Sequence, residues 1–181
     1  MGQPAESKPS PEEIVWFGID YTLVKFIGTQ GQFSDMEAIQ NRYFRSWNEL
    51  IVTESDKYNL KKAFNVNKIS YEFENTIVRS QQRSMENIVQ SDSYSLGEPD
   101  VMSIVRLNTT PSEDKTGAIM VMETLNKMKE ESSMWLAVFE ISTGEILYMR
   151  RYNGAVGGFG FRNYWARSYY NVISKLELSP R

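Results

Sequence analysis

From Met134 onward the apolar positions fall into a strand, a tight turn and a second strand. Met134, Leu136 and Val138 project to one face and Trp135, Ala137, Phe139 and Ile141 to the other, so the strand is apolar on both faces and expected to be central. Thr143-Gly144 separates it from the run Glu145-Ile146-Leu147-Tyr148-Met149, a spacing that predicts a two-residue hairpin turn with Gly at a positive φ. Asn153-Gly154 and Gly157-Gly158-Phe159-Gly160 are expected to end that strand in a glycine loop. Phe161, Trp165, Ser168 with Tyr169, Val172 and Leu176 then recur at helical spacing, which puts one stripe on a helix of about sixteen residues.

Upstream, the residues from Ile14 to Ile27 are rich in β-branched and aromatic side chains and read as a long strand, bent at Gly18 or Asp20. Ser34 and Glu37 form a capping-box pair, followed by Met36, Ile39, Tyr43, Trp47 and Leu50 on one helical stripe. A short helix is expected over 59–64, with Leu60, Ala63 and Phe64 inward. Ile69, Tyr71 and Phe73 alternate with polar residues, as in a half-exposed strand. Residues 75–97 read two ways: Ile77, Gln81, Met85 and Ile88 fit a helix weakly, whereas the Ser, Gln and Asn content fits a loop. Pro99 opens a short helix bearing Val101, Ile104 and Val105, and Ala118 to Leu125 reads as a strand after the polar loop 108–116. The sum is a single α+β domain over 14–181, with one mixed or antiparallel sheet of about five strands and helices on its faces. Residues 1–13, with three of the six prolines, are expected to be a flexible arm.

Composition narrows the chemistry. The 181 residues include no cysteine and no histidine, which excludes Cys/His zinc sites, His-based triads and imidazole acid-base catalysis. A net charge of -3 argues against a general grip on nucleic acid. No apolar run is long enough for a transmembrane helix. The start lacks the segments of a signal peptide, and a removed leader is compatible with the sequence.

The glycine loop before the last helix is the candidate binding site. Free backbone N–H groups at a helix N-terminus can hold an anion, and four arginines, Arg150, Arg151, Arg162 and Arg167, lie close by in sequence. The candidate set for an anion or a partner is Gly157, Gly158, Gly160, Arg162, Arg151 and Tyr170. It is no P-loop, for no Lys-Ser/Thr follows. Residues 17–23, Phe-Gly-Ile-Asp-Tyr-Thr-Leu, resemble the first motif of haloacid-dehalogenase phosphatases through Asp20 and Thr22, but Gly18 stands at the nucleophile position and cannot form an aspartyl-phosphate. The strand methionines Met120, Met122, Met134 and Met149 read as core, and the carboxylates Glu72, Glu74, Glu123 and Glu140 show no spacing that pairs them. No catalytic residue, metal site or cofactor is assigned.

The C-terminal stretch of about 45 residues, with Thr143-Gly144-Glu145 in its hairpin and a glycine loop before the last helix, resembles the close of small Gram-negative envelope proteins such as the TolB N-terminal domain and the curli-secretion lipoprotein. It is also similar to uncharacterised exported proteins of Bacteroidetes-type bacteria. The resemblance implies a periplasmic or extracellular domain acting through protein contacts, with a protein partner or self-association; no catalytic residue carries over, and the lipidated cysteine is missing here. The alternative is a domain for a small anion or nucleotide, with a carboxylate-based hydrolase as its enzymatic form, centred on the same loop.

Overall fold

The computed structural model of the chain describes residues 11–178. Residues 1–10 of the expected arm lie outside the described residues, and Glu13 already belongs to the first strand. In chain order the elements are β1 (Glu13–Asp20), β2 (Lys25–Ile27), α1 (Met36–Ala38), a π turn (Ile39–Tyr43), α2 (Phe44–Thr53), α3 (Leu60–Phe64), β3 (Lys68–Tyr71), α4 (Glu74–Gln82), β4 (Val89–Gln90), α5 (Glu98–Arg106), β5 (Thr116–Asn126), β6 (Glu131–Glu140), β7 (Ile146–Ala155) and α6 (Phe161–Ile173). A 3₁₀ turn, Gln30–Phe33, precedes α1.

The stretch expected as one strand over 14–27 is a broken one. β1 lies beside the first half of β5 and β2 beside its last three residues, both parallel to it. The register slips between Trp16 and Ile19, a bulge around Gly18. Asn48 of α2 is clamped onto this irregularity: its Oδ1 accepts from the Ile19 N–H at 2.7 Å, and its Nδ2 donates to the Ile19 carbonyl at 3.0 Å. The helix that follows is capped by Asp35, whose carboxylate accepts from the Ala38 N–H, and not by Ser34.

The sheet corrects the expected fold class. Among the described residues it has seven strands; β1 to β5 all run parallel, with helices in the connections after β2, and β5, β6 and β7 form an antiparallel meander. The fold is therefore α/β, and not an α+β domain built on a mixed or antiparallel sheet of about five strands. Parallel neighbours need a long crossover, usually helical; here 28–67 connects β2 to β3, α4 connects β3 to β4 and α5 connects β4 to β5. The unreadable segment 75–97 holds most of α4 and all of β4.

Two cores sit on the two faces. Trp16, Ile19, Met120, Met122, Met134 and Leu136 face one side, where Trp47 of α2 and Trp165, Tyr169 and Val172 of α6 cover them. Val15, Phe17, Ile119, Val121, Ala137 and Phe139 face the other, where α5 supplies Val101, Ile104 and Val105. The stripe read for α6 is the buried one: Trp165 and Tyr169 are fully buried. The β6–β7 turn is longer than two residues, closed by Gly144 N–H to the Glu140 carbonyl at 2.8 Å. β7 also runs past Asn153-Gly154, where its end was expected, to Ala155.

Candidate functional site

β7 runs out at Ala155 beside the turn between β5 and β6: the Val156 N–H donates to the Glu130 carbonyl at 3.2 Å. The glycine loop then folds back onto the first turn of α6, with Gly157 N–H donating to the Tyr164 carbonyl and Tyr164 N–H to the Gly160 carbonyl. Gly160 enters the helix at φ 84°, a conformation that strains any residue with a Cβ. Its neighbour Phe159 stands out from the described residues. The ring is 97% exposed, which for a side chain of this size forgoes about 1.5–3 kcal/mol of burial.

A second apolar side chain projects from the adjoining β5–β6 turn, where Met128 is 66% exposed. The two segments are held together by the Val156–Glu130 hydrogen bond and by Lys127, whose Nζ lies 3.7 Å from the centroid of the Tyr164 ring. Met128 and Phe159 thus flank one end of the sheet, with Lys127, Lys129 and Arg167 bordering them. Sequence reasoning took Phe159 as part of the loop and passed over Met128. The available signal was an aromatic residue with glycine on both sides, which no core pattern requires.

The six candidate residues do not converge. Gly157, Gly158 and Gly160 form the loop and Arg162 follows in the first turn of α6, its carbonyl accepting from Trp47 Nε1 at 3.0 Å. Tyr170 lies ten positions beyond Gly160, about 15 Å along the helix. There its ring meets Tyr58 edge-on and borders a cavity of ≈ 240 Å³ with Lys57, Lys62, Asn59 and Ser174. Arg151 is on the other face of the sheet, where it pairs with Glu123 at 2.6 Å.

Glu123 is fully buried and fully occupied: Arg151 donates to Oε1, while the Leu96 N–H at 2.8 Å and Trp135 Nε1 at 3.3 Å donate to Oε2. Burial alone would raise its pKa, but the hydrogen bonds from Arg151 and Leu96 outweigh it and hold the carboxyl below its ordinary value. Asp20, the residue that matched the phosphatase motif, is also fully buried; Arg79 donates to its Oδ2 at 2.8 Å and the Thr22 N–H to its Oδ1 at 2.8 Å. Glu74 pairs with Arg45. These three carboxylates are tied to arginines. Among the described residues no group of three or more Asp or Glu side chains could hold a metal ion, and no helix is long and apolar enough to cross a membrane.

No family model and no curated protein matches the chain. Among solved structures, the lipoprotein GNA1162 from Neisseria meningitidis overlaps it with a TM-score of 0.29 and 12% identity, over 82% of this chain and 83% of the other. The C-terminal domain of LpoB from Salmonella enterica gives a TM-score of 0.27 and 9% identity, over 83% and 87%. Similarity at these scores assigns neither fold nor function.

Proposed function

We propose that this chain is a non-enzymatic exported or envelope domain that works by binding another protein, with Phe159 and Met128 as the tip of its contact surface and the exposed side of α6 beside them. The observation that carries the reading is Phe159, 97% exposed on a loop whose backbone is otherwise pinned at Val156, Gly157 and Gly160. A buried partner pocket for such a ring would make it an anchor of the kind that dominates binding energy at interfaces. The placement in the envelope rests on the resemblance of the C-terminal stretch.

Photo-cross-linking in the source cells tests this. A Phe159→p-benzoylphenylalanine variant is expected to give discrete protein adducts, while the same replacement at Val78, 39% exposed on α4, gives none. Equal labelling at both positions, or none at either, overturns the protein-contact reading. An adduct with a cytoplasmic protein alone overturns the envelope placement. The anion alternative carries over to Gly157, Gly158, Gly160 and Arg162. Phosphate that raised the melting temperature of the native chain and not of Arg162→Ala would favour it.

A further inference from the structure

β7 is an edge strand. Among the described residues it pairs with β6 and with no other strand. The hydrogen bond from Val156 N–H to the Glu130 carbonyl sets the phase of that ladder, so the pairs Ser132 with Gly154, Met134 with Tyr152 and Leu136 with Arg150 exchange hydrogen bonds inside the sheet. From Met149 to Ala155, short of the register shift at Leu147, the odd-numbered residues therefore turn their N–H and carbonyl groups outward. Ala155 agrees with this phase, since its carbonyl accepts from Asn171 Nδ2 of α6 at 2.8 Å. From Met149 to Asn153 the outward groups have no such cover among the described residues, an open run of about 17 Å.

The side chains of this run favour one kind of occupant. No acidic residue lies between Leu147 and Asn153, and of its two arginines Arg151 is committed to Glu123. Arg150 is exposed and forms no ion pair among the described residues; its guanidinium lies 5.7 Å from the Tyr152 ring. Tyr148 and Tyr152, half-buried and joined through their hydroxyls, flank it on the same face. A second copy pairing antiparallel along this run would centre on residue 150 or 151 and set Arg150 or Arg151 against its own copy. Like charges directly opposite one another destabilise a sheet.

We infer that the partner engages this domain by adding an extended, acidic strand to β7, with a carboxylate opposite Arg150 and apolar side chains against Tyr148 and Tyr152. This rests on the reading that the chain acts by protein contact, and it names the form of the partner. The unpaired outward backbone groups of β7 make it a template, and Arg150 disfavours self-pairing while matching a carboxylate.

The test is amide hydrogen exchange with two capped nine-residue peptides that alternate valine with threonine, the central valine replaced by glutamate in one and by lysine in the other, so that valines flank the charge on its own face. The glutamate peptide is expected to protect the outward amides of Met149, Arg151 and Asn153, while those of Tyr148, Arg150 and Tyr152 are protected with or without it. Arg150→Glu should weaken the glutamate peptide roughly tenfold and let the lysine peptide bind. Asn153→Pro, which removes one outward N–H on an exposed residue, should weaken the glutamate peptide without lowering the melting temperature. Absence of protection at the three amides, equal action of both peptides, or protection without peptide in a dimer seen by sedimentation each overturns the inference. Adducts at Phe159 without protection on β7 would leave the protein-contact reading standing and sink this one; failure of both assays sinks both.

Discussion

A methyl group at position 154 would have nowhere to go. The Cβ built there falls 2.3 Å from the carbonyl oxygen of Ser168, so β7 and the backbone of α6 touch where only glycine lets them. Backbone cannot rotate away as a side-chain tip can. Gly154→Ala is expected to destabilise the chain by about 1–3 kcal/mol in urea titrations, through displacement of α6 from the sheet; an unchanged midpoint would mean that the helix is not seated there. Ser168 strengthens the same contact, donating to Ser132 Oγ at 2.8 Å. In the sequence Gly154 reads as punctuation, and Asn153-Gly154 looks like a strand end. What makes it a packing residue is Ser168 on α6, fourteen positions further on.

Among the elements, the β1–β2 break shows how one side chain stabilises an irregular strand. Asn48 is fully buried and makes three hydrogen bonds, two to Ile19 and one to the carbonyl of Phe44 at 2.9 Å. Asn48→Leu keeps the branching, enlarges the side chain and leaves the Ile19 N–H and carbonyl without those partners, at an expected cost of about 1–3 kcal/mol. A chemical-denaturation midpoint that did not move would refute that role. The helix stripe carrying Trp47 was legible because apolar residues recur over four turns. Asn48 was invisible beside it, since nothing local says that a polar side chain next to the stripe reaches a bulge 29 residues earlier. The two-residue β4 left no period to read at all, and β3 only four residues.

Across the whole molecule, Glu123 ties β5, β7 and the segment before α5 into one unit. Its carboxyl is held below the ordinary value of 4.5, so the folded state binds its proton less readily than the unfolded chain does. The stability it contributes is complete above that value and is lost as the pH falls through the lower folded one. Glu123→Gln should therefore be less stable than the native chain at pH 7, with the gap closing as the pH drops below 4.5. Parallel urea titrations at about pH 7 and about pH 3 check the sign, and a gap independent of pH would detach Glu123 from the acid response.

The sequence by itself determined the apolar faces of the longer elements, the terminal hairpin and helix, and the exclusion of thiol and imidazole chemistry, because residue types and short periods are local properties. Tertiary structure alone decided that β1 to β5 run parallel, that Arg151 and the glycine loop lie on separate faces, and that one edge of β7 is unpaired among the described residues. Strand direction and neighbour choice depend on hydrogen bonds between segments far apart in the chain. A face can be read from a few residues, but a neighbour cannot.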